Sequence, residues 1–365
     1  MMLYILGSFL VSALLGMFFI PVILDFCEQK RLYDIPNERK VHKNAIPRLG
    51  GIVFMPNMLM AFAIVMFMMN PYFGGTHTQL SLWSFYFLIS LAIIYMTGVI
   101  DDLIGLNATV KFTTQIIASF LMPMAGLCIN HLYGFLGIDA IPYGISMFIT
   151  IFVMVFITNA INLIDGIDGL ATSLSFLALG GFLIAFYREG MGIYCTLIAG
   201  LMGTLVPFFY YNMFGKVEEN RKIFMGDSGS LTLGFILSFL FVKFASFNPN
   251  VMPFHMNGLI IPYTLLIVPV FDVARVILVR LRHHRPLFDA DKNHIHHKLM
   301  RTGLSQHQTL GVIVSISLFY ILLNLPLFYF IGITYIIILD IVCYILIHIV
   351  INKMIQKQHQ EVTCP

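Results

Sequence analysis

The sequence predicts an all-α protein: a polytopic membrane bundle of about eleven crossing helices, N-terminus outside and C-terminus cytoplasmic. Three observations lead there. Of the 365 residues, 59% are apolar and only 11% charged, against about 25% charged in a soluble domain. Apolar runs recur along almost the whole chain, each near the roughly 20 residues that cross a hydrocarbon core of about 30 Å. Lys and Arg concentrate in alternate connections, as cytoplasmic loops do.

The first span, 3–25, has no basic leading segment and no small-residue cleavage site. It reads as a retained helix rather than a signal peptide. Spans follow at 49–69, 80–100, 110–129, 142–161, 169–187, 191–211 and 229–248. The ninth, 257–281, carries Pro262 and Pro269, which predict a bent or broken helix. The last two, 309–330 and 333–352, meet at Gly332. Residues 1–352 make one integral membrane domain, and 353–365 a cytoplasmic tail.

Orientation comes from the cations. The first connection holds Lys30, Arg31, Arg39, Lys40, Lys43 and Arg48, and the next holds none. Lys216, Arg221 and Lys222 mark the fourth cytoplasmic loop, and Arg282 to Arg301 the fifth. The opposite loops carry only Arg188. This alternation puts Asp101, Asp102, Asp165, Asp168 and Asp227 at cytoplasmic span ends, with His294, His296 and His297. A carboxylate at mid-bilayer costs about 2.5–3.5 kcal/mol on insertion scales and less at the interface. Acids from several loops on one side suggest a shared cytosol-facing site. The five cysteines show no C-x-x-C spacing and suggest neither a metal cage nor a disulfide framework.

Each constellation has a structural alternative. In "GVIDDLIGL", Asp101 and Asp102 sit at a helix C-terminus, which disfavours anions. They call for a compensating cation, a metal or Lys111, unless the turn is simply solvated. In "NLIDGIDGL", Asp168 has the position of a helix cap; Asp165 has not, and Asn162 adds a polar group beside it. "FMGDSGSL" offers helix-start N–H groups for phosphate, and Asp227 either caps that helix or binds Mg²⁺. Asp272 and Arg275 can pair on one face. "DADKNHIHHKLMR" gathers His294, His296 and His297, read as donors to a diphosphate rather than a zinc site or an ordinary basic loop. Lys40, His42 and Arg48 fit phosphate or anionic-lipid contact, or plain topology. Together these parts imply metal-dependent phosphoryl transfer between a soluble nucleotide and a lipid phosphate.

"GVIDDLIGLNATVKF", "NAINLIDGIDGLA", "FMGDSGSLTLGF" and "DKNHIHHKL", in this order, resemble the polyprenyl-phosphate N-acetylhexosamine-1-phosphate transferase family. The resemblance covers roughly residues 30–310. His294-Ile295-His296-His297 departs from the three consecutive histidines of the peptidoglycan branch, which makes a phospho-MurNAc-pentapeptide transferase the less favoured alternative. The resemblance implies transfer of a sugar 1-phosphate, GlcNAc 1-phosphate from UDP-GlcNAc, to undecaprenyl phosphate, with UMP leaving. It also implies Mg²⁺, with Mn²⁺ as substitute, in the bacterial inner membrane, a lipid groove beside the bent ninth helix, and a homodimer. Asp227 and Asp102 become the metal ligands. Asp101 and Asp102 lie next to the reacting phosphates, and Asp165 and Asp168 form the nucleotide and metal site. Lys111 and the histidines neutralise diphosphate charge, while Asn162, Arg275, Lys40, His42 and Arg48 bind substrate. Asp101 is the candidate general base, although a phosphate monoester with a second pKa near 6 is already mostly a dianion at pH 7. No nucleic-acid partner is expected. An ion-coupled transporter, the rival class, would place its acids near mid-membrane and show repeat symmetry.

Overall fold

The computed structural model describes residues 1–34, 45–69, 82–248, 252, 254–286 and 293–363. Lys40 and His42 lie outside the described residues. Helix dominates, as expected, and nine helices among the described residues are long and apolar enough to cross a membrane. In chain order the helices begin with α1 (Met2–Lys30), α2 (Phe54–Met69), α3 (Leu82–Ile104) and α4 (Ala108–Met124). Then come α5 (Tyr143–Ile164), α6 (Leu170–Arg188), α7 (Gly192–Met213) and α8 (Gly226–Ala245). The last are α9 (Ile260–Leu265), α10 (Ile267–Arg282), α11 (Ile295–Met300), α12 (Gln306–Leu327) and α13 (Ile333–Thr363).

Two expected spans differ from the other nine. The fourth is α4, which is 17 residues long and has Pro123 at its end. The ninth is divided into α9 and α10 at Leu266. Proline there is the cause: Pro269 has no N–H to offer the carbonyl of Leu265, and its ring crowds that carbonyl.

α8 is the axis of the bundle. Every residue from Ser228 to Ala245 is buried, and α3 and α5 both pack against it. α1 lies along α7 through small and hydroxyl side chains: Ser8 Oγ donates to Thr196 O at 2.8 Å, and Ser12 Oγ meets Thr204 Oγ1 at 2.5 Å. With hydrocarbon on both sides of a helix, close packing and such hydrogen bonds replace the hydrophobic drive. Large apolar side chains outside the bundle, such as Leu14, Phe67, Phe148 and Leu322, are exposed, as lipid-facing residues are.

Four short strands were not expected. β1 (Tyr33–Asp34) pairs antiparallel with β2 (Ile46–Pro47). The edge continues into the segment before α8, where Phe224 N donates to Pro47 O, Gly50 N to Phe224 O and Gly51 N to Met225 O, at 2.7–2.9 Å. At the far end β3 (His131–Phe135) and β4 (Ile138–Ala140) form a hairpin. Tyr133 Oη donates from it to Ala245 O at the end of α8.

Two glycines set how deeply the first turn of α8 is held. A Cβ on Gly51 would lie 2.0 Å from the Cα of Gly229. A Cβ on Gly98, in α3, would lie 2.6 Å from Asp227 O and Ser228 Cα. The backbone carrying Asp227 is wedged between these two surfaces.

Candidate active site

The C-terminal ends of α3, α5 and α7 and the N-terminal ends of α8 and α12 surround one cavity of about 380 Å³. Asp101, Asp102, Asp165, Asp168 and Asp227 all line it. So do Arg48, Asn162 and His297. Residues more than 120 positions apart in the sequence therefore share one space.

The local folding explains each placement. α3 runs to Ile104, so Asp101 and Asp102 lie in its last turn. Asp101 Oδ1 accepts from Leu106 N at 2.7 Å, closing the chain reversal toward α4. The compensating cation is Lys111: its Nζ lies 2.6 Å from Asp227 Oδ2 and 3.3 Å from Asp101 Oδ2. Asn162 Nδ2 donates to Asp227 Oδ1 at 2.9 Å and to Ser230 Oγ at 2.8 Å. The Asp227 carboxylate is thus held from two sides.

Asp102 does the capping that sequence position suggested for Asp227. Its Oδ1 accepts from Asp227 N at 2.8 Å and its Oδ2 from Ser228 N at 2.9 Å. A carboxylate from α3 satisfies two free N–H groups at the positive end of α8. Asp227 makes no side-chain cap for its own helix. Arg48 Nε donates to Asp102 O at 2.8 Å, which ties the first connection to the same corner.

Asp168 also departs from its capping alternative. The N-cap of α6 is Gly169, without a side-chain cap bond, and Asp168 Oδ2 instead pairs with Lys222 Nζ at 2.7 Å. Asp165 terminates α5 and faces the cavity. Loss of solvent, then the neighbouring charges of Asp227, Asp168 and Asp102, push its carboxyl up to about 8.

The histidine segment divides. His297 lines the cavity; His294 and His296 are buried and do not. His294 Nδ1 lies 2.8 Å from Asp272 Oδ2, and Ile295 N donates to Asp272 Oδ1 at 2.9 Å. Arg275 pairs with Asp272 at 3.0 Å and also donates to Asn293 O, away from the cavity lining. His296 stacks on His294 with centroids 5.9 Å apart. Its Nε2 would lie 2.2 Å from a Cβ on Gly166, so the ring presses on the loop that carries Asp165. Burial first, then the charge of His297, hold the His296 imidazole down near about 3, neutral at physiological pH.

Two lining residues, Asn212 and Gln306, lie outside every motif that the sequence singled out. Asn212 Oδ1 accepts from Gly169 N at 2.7 Å and its Nδ2 donates to Ile223 O at 2.9 Å, joining two walls. The available signal was a lone Asn at the end of the seventh apolar run. Among the described residues no three His, Cys, Asp or Glu side chains form a ready-made metal cage. The donor set nevertheless suits Mg²⁺, which takes one or two carboxylates and completes its shell with water and substrate phosphate.

Helices enclosing one acidic, cation-bridged cavity at a single end define a polytopic membrane protein with an enzyme-like site. Residues 84–245 match the family described as Glycosyl transferase family 4. A Bacillus subtilis (strain 168) protein named "Probable undecaprenyl-phosphate N-acetylglucosaminyl 1-phosphate transferase" is 30% identical over 324 residues, 87% of this chain and 83% of that one. Proteins named "Undecaprenyl-phosphate alpha-N-acetylglucosaminyl 1-phosphate transferase" from Yersinia pestis and Escherichia coli (strain K12) are 28% and 27% identical. Each match covers 77% of this chain, and 73% and 72% of the respective relative. The chain belongs to glycosyl transferase family 4, the sugar-1-phosphate transferase family that its motifs resemble.

Proposed function

We propose that this protein transfers GlcNAc 1-phosphate from UDP-GlcNAc to undecaprenyl phosphate and releases UMP. This is the first membrane step in making a cell-envelope polysaccharide. The observation that carries the reading is the convergence of Asp101, Asp165 and Asp227 on one cavity, with Lys111 already between two of them. The names of the relatives support the acceptor and the transferred group. Eleven crossings with the cavity at the cytoplasmic face fit the alternation of loop cations. A homodimer in the bacterial inner membrane is the assembly the family implies.

The reaction exchanges one diphosphate linkage for another. An oxygen of the lipid phosphate attacks the phosphorus that carries the sugar. The bond from that phosphorus to the bridging oxygen breaks, and the oxygen leaves with UMP. The lipid phosphate is mostly a dianion at neutral pH, so no proton need be removed first. Positioning and charge neutralisation then make the main contribution.

Asp102, expected as the second metal ligand, has both oxygens on the N–H groups of α8, so Asp227 and Asp101 would hold Mg²⁺, with Mn²⁺ as substitute, and the ion would draw negative charge from the diphosphate when bound. Asp102 aims Asp227 by capping α8, and Asn162 fixes one oxygen of Asp227. Lys111, paired with Asp101 and Asp227, is the cation that would meet incoming phosphate. His297 and Arg48 face the cavity as cationic or donor groups, and Lys40 and His42 belong to the same first connection. His294, His296 and Arg275 act one layer back, by holding His297 and the Asp165 loop. Asp165 and Asp168 form the nucleotide wall.

The test is purified protein with Mg²⁺, undecaprenyl phosphate and a panel of UDP-sugars, scored for lipid product and UMP. UDP-GlcNAc is expected to give both. Folded protein that yields no lipid product with any sugar rejects the reading.

A further inference from the structure

The last helix, α13, carries a file of polar side chains that the site described above does not use. Asp340, Tyr344, His348 and Asn352 recur every four residues, which places them on one face. The first three are buried. An ionisable side chain fully enclosed within an apolar crossing helix is costly and usually has a task.

The contacts of that face all go to the broken ninth span and its surroundings. Asp340 Oδ2 accepts from Tyr263 Oη at 2.9 Å, in the last turn of α9. It also accepts from Asn324 Nδ2 of α12 at 2.8 Å. That same amide reaches Thr264 Oγ1 at 3.3 Å, next to the break. One helical turn on, the Tyr344 ring meets Phe271 of α10 edge-on, with centroids 5.4 Å apart. Phe271 in turn faces Tyr263 across the break at 6.1 Å. At the end of the file, Lys298 Nζ of α11 donates to Asn352 Oδ1 at 2.7 Å. α13 therefore grips the segment before the break, the segment after it, and the helix that carries the histidines.

We propose that Asp340 and Tyr344 are positioning residues: they hold α9 and α10 at the angle that places the histidine segment over the cavity. This rests on the transferase reading given above. Asp272 follows Phe271 directly and holds His294 and Ile295 N. Six residues separate Asp272 from Leu266, a lever of roughly 9 Å at 1.5 Å per residue. A tilt of about 10° at the break moves Asp272 by about 1.6 Å on that lever. A displacement of about 1 Å in a positioned group can cost roughly a hundredfold in rate. A carboxylate in hydrocarbon is a strong tether, because its alternative is to be buried with no donor.

The experiment uses full-length protein and the variants Asp340→Leu, Asp340→Asn and Tyr344→Ala. Two readouts are taken. Spin labels at Leu278 of α10 and Leu322 of α12, both exposed, report the angle in a background without Cys343 and Cys364. Transfer kinetics are measured alone and combined with His294→Ala. We expect Asp340→Leu to shift or broaden the label distance by at least 2 Å and lower kcat at least tenfold. KM for UDP-GlcNAc should stay within twofold, and Asp340→Asn should recover most of the loss. In the His294→Ala background, Asp340→Leu should add less than twofold, since both changes act through one segment. Should Asp340→Leu not fold, Tyr344→Ala is expected to show the same pattern. An unchanged label distance, or losses that multiply with those of His294→Ala, overturns the proposal. Wild-type protein without transfer activity would reject the transferase reading, and the label distance would still decide this one.

Discussion

Lys111 occupies the space between Asp101 and Asp227 where a divalent cation would find its carboxylates. A tethered ammonium and a metal ion compete for the same negative charge. Replacing it with the neutral Lys111→Met should therefore tighten Mn²⁺ binding in the absence of nucleotide, by about tenfold for one removed charge in a partly exposed site. The same change should slow transfer, because a cation for the diphosphate is gone. Electron paramagnetic titration of free Mn²⁺ reads the first effect without turnover. Weaker Mn²⁺ binding in Lys111→Met would show that the lysine supports the metal rather than opposing it. His296 gives a second residue-scale prediction. Its folded pKa lies near 3 and its unfolded value near 6.5, so the unfolded chain binds more protons between those values. Stability from this residue is complete above about pH 6.5 and falls as the solution is acidified. From pH 7 to pH 5 the loss is about 2 kcal/mol. Asp165 works in the opposite direction, since a raised carboxyl loses stability as pH climbs toward 8. The comparison must therefore be with His296→Gln, whose melting temperature should fall less between pH 7 and pH 5 than that of the wild type. Equal falls would remove His296 from the account.

At the scale of elements, the first turn of α8 is the part most tightly specified by its neighbours. Gly51 and Gly98 close on it from two sides, and Asp102 caps it. Gly98→Ala puts a methyl carbon into the backbone of Asp227, where overpacking costs about 1–3 kcal/mol. Transfer is expected to fall about a hundredfold, as for a displacement of about 1 Å in a reacting group. Gly311→Ala, with nothing within 4 Å of its new methyl, is the control and should leave melting and rate unchanged. Loss of activity in both, or in neither, contradicts the assignment. The elements also show what the sequence could reveal. Long apolar runs announced their helices because no other structure satisfies the backbone in hydrocarbon. Pro269 announced the break between α9 and α10. β1 and β2, two residues each, carried no periodicity to read. The capping of α8 by Asp102 was equally hidden, since donor and acceptor stand 125 and 126 positions apart.

Across the whole molecule, distant segments meet because crossing helices return every second connection to the same face. That rule made the clustering of Asp101, Asp165, Asp168, Asp227 and His297 legible before any geometry was known. It did not separate His297 from His294 and His296, because facing a cavity or a helix depends on packing that one loop does not encode. Asn212 was lost for a related reason, as a single polar residue at a span end resembles the start of any loop. The central claim is chemical: one cavity joins a sugar-bearing phosphorus to a lipid phosphate. The most direct measurement uses UDP-GlcNAc labelled separately at its two phosphorus atoms, with undecaprenyl phosphate and Mg²⁺. The label next to the sugar should move into the lipid product, and the label next to uridine should appear in UMP. Recovery of both labels in UDP, with only the sugar on the lipid, would contradict the account.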